Sequence, residues 1–167
     1  MCVIRIRDRS GPRDLAGCTG EEAVAFAAEG ASVIVNDFGG AGDGSGGSEE
    51  PAIEVCDSIT ASGGKAVPHF GDVSRMATGE ELVQLALDHF GRLDVLVNNA
   101  GILRDRMIYN MSEAEWDAVI AVHLKGTFVC TRAAARVFRE QRSGVVVNTG
   151  RESGLGNLGQ ANYAGAK

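Results

Sequence analysis

The sequence Leu93-Asp94-Val95-Leu96-Val97-Asn98-Asn99-Ala100-Gly101 joins an apolar run to a short polar turn that ends in glycine. A continuous apolar run of this length is typical of a strand that is covered on both faces of a sheet. Two other stretches, 31–37 and 144–148, have the same character, and helical patterns separate the three. This alternation predicts an α/β fold with a doubly wound parallel sheet.

The remaining elements are shorter or carry clear end signals. Ser112 and Glu115 have the spacing of a capping box, which marks the start of a long helix. Pro68 favours an edge position for its strand, since proline cannot donate a ladder hydrogen bond. We predict helices over 21–29, 51–62, 80–90 and 112–142, and short strands over 2–6 and 65–70.

Polar residues collect where the predicted strands end. In a doubly wound fold, ligands bind beyond the carboxyl ends of the strands. The sequence therefore predicts a binding site at this edge of the sheet, formed by residues that include Asp37, Asp72, Asn98, Asn99 and Asn148.

The composition is that of a soluble globular domain. The chain has 167 residues, 44% of them hydrophobic, and a formal net charge of −6, which predicts one domain with a sizeable core. Its basic residues form no cluster for nucleic acid, and no apolar run approaches the roughly 18 residues of a membrane span. The cysteines lack metal-ligand spacing, which indicates reduced thiols in a cytoplasmic protein and no metal site; they are Cys2, Cys18, Cys56 and Cys130.

Near the end of the sequence, Tyr163 and Lys167 lie four positions apart with only alanine and glycine between them. On a helix this spacing places both side chains on one face. A phenol has a pKa of about 10, and a nearby ammonium favours the phenolate and lowers that pKa. Tyr163 is then suited to proton transfer. The alternative is a surface pair without a catalytic role, because this spacing is common by chance.

Taken together, Val97-Asn98-Asn99-Ala100-Gly101, Asp37 and Tyr163-x-x-x-Lys167 resemble the short-chain dehydrogenase/reductase family, over about residues 21–167. The resemblance is strongest to its branch of 3-oxoacyl reductases and (3R)-hydroxyacyl-CoA dehydrogenases, and it rests there on 35–40, 102–106 and 156–163. It implies a Rossmann-type fold and an NAD(P)-dependent oxidoreductase that interconverts a secondary alcohol and a ketone. The implied small-molecule substrate is of the 3-hydroxyacyl or 3-oxoacyl type, and members of the family form homo-oligomers.

The same resemblance implies roles for individual residues. Tyr163 would transfer the proton, while Lys167 would lower its pKa and hold the nicotinamide ribose. Asp37 would accept hydrogen bonds from ribose hydroxyls, which favours NAD over NADP because a 2′-phosphate would be repelled; a strand-ending turn residue is the alternative. Further contacts to the cofactor are implied for Asp72, Val73, Asn99, Ala100 and Gly101.

One departure from the family pattern concerns the phosphate site. The family places Thr-Gly-x-x-x-Gly-x-Gly between its first strand and first helix, where backbone N–H groups hold the pyrophosphate. The corresponding segment here, 8–15, lacks this motif. We therefore describe 1–20 as an aberrant N-terminal segment, and we hypothesise a frameshift ahead of Glu21.

A second departure concerns the catalytic serine. Its position falls on Gly150 or, with a one-residue deletion, on Arg151, and the nearest candidate serine is Ser153. The fourth catalytic position falls on His123. For His123, a structural helix histidine bonded to backbone is an equally simple interpretation.

The third departure is the extent of the match, since the family pattern continues beyond the Tyr/Lys helix. The resemblance thus implies a single, C-terminally incomplete domain over 1–167, in which 145–147 becomes an apolar edge strand. Two hypotheses follow. The chain is an NAD-linked oxidoreductase, or it is an inactive truncated or frameshifted remnant that binds nucleotide weakly or pairs with a full-length relative.

Overall fold

The computed structural model describes residues 2–5 and 20–167. The segment 8–15, on which the expectation about the phosphate loop depends, lies outside the described residues, as does Cys18. The two cysteines whose side chains are described, Cys56 and Cys130, are free and buried, as the sequence predicts.

Strands and helices alternate along the described residues. The strands are β1 (Cys2–Arg5), β2 (Ser32–Asn36), β3 (Lys65–His69), β4 (Val95–Asn98) and β5 (Val145–Asn148). The α-helices are α1 (Glu21–Ala28), α2 (Glu50–Ala61), α3 (Met76–Phe90), α4 (Glu113–Ile120), α5 (Gly126–Gln141) and α6 (Ala161–Ala166). Each predicted element is present, with bounds shifted by a few residues.

The strands form one sheet in the order β3-β2-β1-β4-β5. The outer pairs are parallel, with Asn36 opposite His69 in one and Asn98 opposite Asn148 in the other. The central strand β1 instead runs antiparallel to both of its neighbours. The expectation of a parallel sheet is therefore confirmed for the outer pairs and wrong for β1. An apolar pattern does not encode strand direction, and an antiparallel ladder also satisfies the backbone groups of β2 and β4.

Helices cover both faces of the sheet, as the doubly wound prediction requires. On one face, Ile34 and Leu96 pack in a core with α3 and α5. On the other, Val33 and Val97 pack in a core with α1 and α2. Successive residues of a strand point to opposite faces, so β2 and β4 each supply both cores, which accounts for their continuous hydrophobicity.

Both end strands of the described sheet were anticipated. Pro68 lies in β3, which occupies one edge. At the other edge, Val145 and Val147 of β5 are 55% and 41% exposed. The predictions of an edge position for the proline strand and of an apolar edge at 145–147 are confirmed.

The long helical stretch Glu113–Gln141 contains α4, a π-helical turn over Ala121–Lys125, and α5. By length and composition alone, its 29 residues suffice to cross a membrane, contrary to our expectation from the sequence. However, Val119, Val129 and Ala134 of this stretch are fully buried in the protein core. A core helix passes the same test, so the stretch is weak evidence for a membrane span.

The predicted capping box at the start of α4 is present. Glu115 N–H donates to Ser112 Oγ, and Ser112 N–H donates to Glu115 Oε2 at 2.8 Å. The same carboxylate accepts from Arg106 at 3.0 Å. The bonds from Ser112, and then that from Arg106, lower the pKa of Glu115 from its ordinary value near 4.5 to about 2.

Replacing this carboxylate should alter the acid stability of the protein. A depressed pKa contributes stability above the unfolded value near 4.5, and this contribution is lost as the pH falls through about 2. We expect Glu115→Gln to lower the melting temperature at pH 7 and the difference from wild type to shrink below pH 4.5. Thermal unfolding from pH 2 to 8 measures this, with Glu113→Gln on the same helical turn as the control. A difference that is constant over this range would contradict the prediction.

Candidate functional site

A cleft of about 470 Å³ opens beyond the carboxyl ends of β2 and β4. Five of the residues predicted to bind a cofactor line this cleft, namely Asp37, Asp72, Val73, Ala100 and Gly101. Asn99 is half-buried at the same turn but is not part of the lining. The structure thus brings together five residues that are separated by as many as 64 positions in the sequence.

Two carboxylates fix the loops on either side of this cleft. Asp37 Oδ1 accepts a hydrogen bond from Gly39 N–H at 2.7 Å. Asp72 Oδ1 accepts one from Ser74 N–H at 2.9 Å. Such bonds to a backbone group two residues on are typical turn-forming contacts of aspartate. Each carboxylate is therefore held in place by its own loop while it faces the cleft.

The glycine-rich loop 38–48 forms one wall of the cleft by crossing to the segment after β4. Leu103 N–H donates to the carbonyl of Gly42 at 2.9 Å, and Arg104 Nε donates to the carbonyl of Asp43 at 2.8 Å. A Cβ on Gly44 would lie only 3.0 Å from the side chain of Ile102. The two segments are in close contact because glycine leaves room for it.

Tyr163 and Lys167 lie together beside the cleft. Tyr163 is 5% exposed, and Lys167 Nζ lies 5.9 Å from the centre of its ring. The ammonium also donates to the carbonyl of Thr149 at 2.6 Å. Burial lowers the pKa of Lys167. The predicted placement of the two side chains on one face is what the structure shows.

His123 is the third member of this cluster, and it lies in the π-helical turn. Its ring meets that of Tyr163 edge to face, with 4.9 Å between ring centres and 71° between planes. Its Nε2 lies 3.0 Å from the N–H and 2.9 Å from the carbonyl oxygen of Ile102. One ring nitrogen cannot donate and accept at once, so each tautomer makes one of these two bonds.

The surroundings of His123 keep its imidazole neutral. Burial is the main cause that lowers its pKa, and the charge of Lys167 acts in the same direction, although the bond to Ile102 opposes both. The other ring nitrogen, Nδ1, is buried without a hydrogen-bond partner among the described residues. The backbone bond that the sequence analysis offered as an alternative is present, and it coexists with the contact to Tyr163.

Ser153 lies in a short 3₁₀ helix, Glu152–Leu155, next to α6. Within the described part of the chain, its hydroxyl makes no hydrogen bond to Tyr163, His123 or Lys167. Arg151 is exposed immediately before this helix. The structure therefore brings His123 to Tyr163 but does not bring a serine hydroxyl into bonding contact with it.

The sequence analysis assigned no role to two polar residues of the α6 region, both buried. Asn162 Nδ2 donates to the carbonyls of Arg104 and Glu115 at 2.9 and 3.2 Å. Gln160 Nε2 donates to Asp105 Oδ2 at 2.7 Å. These bonds hold α6 against the segment after β4. A signal was available, since an amide just before an apolar helical turn has to find a partner if it is buried.

Ile102 connects the two parts of the site. Its backbone contacts His123, it lines the cleft, and its side chain packs against the cluster of Val119 and Tyr163. The arrangement is that of an α/β domain with a ligand cleft at the carboxyl ends of its strands and a buried tyrosine adjacent to it.

Comparisons with known proteins agree with this class. Residues 16–167 match the short chain dehydrogenase family, and the chain therefore belongs to that family. It is 48% identical to the hydroxyacyl-CoA dehydrogenase ChsB1 of Mycobacterium tuberculosis over 91% of this chain and 49% of that protein. It is 46% identical to the peroxisomal multifunctional enzyme type 2 of Drosophila melanogaster over 91% of this chain and 25% of that protein.

A solved structure supports the same assignment. The crystal structure of a short chain dehydrogenase from Mycobacterium avium superimposes with a TM-score of 0.77 at 52% identity, over 86% of this chain and 52% of that one. The chain thus spans about half the length of the mycobacterial relatives that it matches, and less of the peroxisomal ones.

The contact between Gly101 and His123 offers a test of the site's packing. A Cβ on Gly101 would overlap His123 Cε1, so we expect Gly101→Ala to destabilise the protein by about 1–3 kcal/mol, as overpacking of a core does. Gly150→Ala is the matched control, since no atom lies within 4 Å of its added Cβ. Urea unfolding of both variants measures the effect. Equal stabilities would show that the ring moves aside without cost.

Proposed function

We propose that this chain supplies the cofactor cleft and the proton-transfer residues of an NAD-dependent oxidoreductase that interconverts a secondary alcohol and a ketone. The observation that carries the proposal is the buried Tyr163, with the Lys167 ammonium 5.9 Å from its ring centre, next to a cleft that holds Asp37. The names of the relatives support a 3-hydroxyacyl thioester as the substrate.

The residues that are present fit the adenosine part of a dinucleotide. Asp37 follows β2 and faces the cleft with its carboxylate fixed by Gly39. This is where a carboxylate accepts bonds from ribose hydroxyls and disfavours a 2′-phosphate. Ala100 and Gly101 leave space on the opposite side, and Asp72 and Val73 would border the adenine.

The proton would be handled by Tyr163. In alcohol oxidation, the deprotonated Tyr163 oxygen would take the hydroxyl proton of the substrate. A bound nicotinamide would supply the acceptor for the hydride that leaves the carbon. The ammonium of Lys167 lies 5.9 Å from the centre of the Tyr163 ring. A neutral His123 packs on the ring edge and adds no second positive charge.

One observation favours a second candidate, a nucleotide-binding protein without turnover. The position of the family's catalytic serine falls on Gly150 or Arg151, neither of which has a hydroxyl, and the Ser153 hydroxyl makes no hydrogen bond to Tyr163 among the described residues. As this second candidate, the chain would bind nucleotide weakly or pair with a full-length relative. A homo-oligomer, as in the family, stays a prediction.

The location in the cell also stays a prediction. The free, buried Cys56 and Cys130 agree with a reducing compartment such as the cytoplasm. Several relatives are named as peroxisomal enzymes, which makes the peroxisome the alternative.

Turnover of a 3-hydroxyacyl-CoA with NAD tests the activity. We expect Tyr163→Phe to lower kcat by at least about 100-fold, the usual contribution of a positioned acid or base, with NAD affinity unchanged within twofold. Absorbance of the reduced cofactor and titration calorimetry give the two quantities. Binding of NAD by the wild type without turnover would favour the second candidate, and absence of binding would contradict both.

Cofactor preference tests Asp37. We expect Asp37→Ala to weaken NAD binding about tenfold, because hydrogen bonds to a charged group are lost, and to raise the relative affinity for NADP, because the repulsion of its 2′-phosphate is removed. Asp57→Ala, at an exposed site on α2, is the control. If both variants keep the wild-type ratio of the two affinities, Asp37 does not contact the ribose.

A further inference from the structure

We propose that Asn36 and His69 act as a positioning pair that sets the Gly71–Asp72 turn at the adenine end of the cleft. The inference rests on the proposed function, and it assigns residues to which neither the sequence motifs nor the family pattern gave a role. Asn36 is part of the cleft lining, whereas His69 is not. Both side chains would act through the backbone of the turn.

The side-chain amide of Asn36 makes two hydrogen bonds to the backbone of Gly71. Its Nδ2 donates to the carbonyl of Gly71 at 3.0 Å, and its Oδ1 accepts from the N–H of Gly71 at 2.8 Å. Asn36 is 3% exposed. A buried amide that lacked these hydrogen bonds would destabilise the folded protein. An amide that both donates to and accepts from the same backbone residue can make both bonds in only one orientation. In that orientation, Oδ1 faces the N–H of Gly71.

That orientation determines what His69 does. His69 Nδ1 lies 2.6 Å from Asn36 Oδ1, and an amide oxygen has no proton to give. Nδ1 must therefore carry the hydrogen and donate it. The other ring nitrogen, Nε2, faces Glu81 Oε2 at 3.6 Å. The hydrogen bond from His69 thus fixes the side-chain amide of Asn36, which in turn fixes the backbone of Gly71.

The pair acts beyond the end of the regular sheet. Asn36 and His69 are the last partners of the β2–β3 ladder, and Asp37 N–H then donates to the carbonyl of His69 at 3.2 Å. The backbone ladder is complete without either side chain. The side chains instead extend the connection to Gly71, which follows β3 and lines the cleft.

The turn that they hold is closely packed. A Cβ on Gly71 would lie 2.5 Å from Thr78 Cγ2 and 2.7 Å from His69 Cε1, which leaves no room for a larger residue. Asp37 follows Asn36, and Asp72 follows Gly71, so the pair also sets the spacing between the two carboxylate-bearing loops of the cleft. An adenosine bound between them would depend on that spacing.

The experiment compares two halves of the cofactor as probes, AMP and nicotinamide mononucleotide, in NMR-detected titrations of the full chain. His69→Phe keeps a flat ring but removes the donor, whereas His69→Asn retains an N–H near the position of Nδ1. We expect His69→Phe to weaken AMP about fivefold, the effect of one neutral hydrogen bond. Binding of nicotinamide mononucleotide should change less than 1.5-fold (about 0.2 kcal/mol), and His69→Asn should restore AMP binding.

Other results would overturn the inference. If His69→Phe binds AMP as the wild type does, or if His69→Asn is as weak as His69→Phe, the donor has no positioning role. If both probes weaken equally, His69 acts on general stability. These three outcomes leave the proposed function intact. A wild-type chain that binds neither probe would overturn the inference and the proposed function together.

Discussion

The Asn98 side chain is the constraint on which the site depends. It is 6% exposed at the end of β4, and its Nδ2 donates to Asn148 Oδ1 at 2.9 Å and to Thr131 Oγ1 at 3.1 Å. It therefore joins β4, β5 and α5 at the point where both strands end. The turn that lines the cleft leaves from β4, and the loop that leads to Tyr163 leaves from β5. Together with the β4–β5 ladder, this junction fixes the relation between the two halves of the site.

Charge repulsion constrains the cluster around Tyr163. Lys167 and His123 both lie beside the Tyr163 ring, and two cations there would repel each other. Burial, and to a lesser degree the charge of Lys167, lowers the pKa of His123, which disfavours a second cation beside the ring. His123 packs edge to face on Tyr163, and Lys167 supplies a basic group close to the same ring.

Much of the fold could be predicted from the sequence because its signals are local. Apolar strands, the capping box at Ser112 and the proline of β3 each follow from short patterns. The direction of β1 could not be predicted, since pairing direction depends on partners far along the chain. Asp37 and Gly101 could be placed in the site because they follow strand ends. Asn36, His69 and Asn162 could not, because their partners lie 35, 33 and as many as 58 positions away.

The two halves of the site are supported in different ways. The cleft is supported by the sheet, since Val95 and Val97 of β4 pack against the helices that cover one face. One strand further, their partners Val145 and Val147 are largely uncovered, so the sheet gives the Tyr163 side less support. There α6 is held by the buried amides of Gln160 and Asn162. It is also held by the packing of Tyr163 and Ala166 against Val119 of α4. The Tyr163 side of the site is therefore supported by α4 and by polar contacts, whereas the cleft is supported by the sheet.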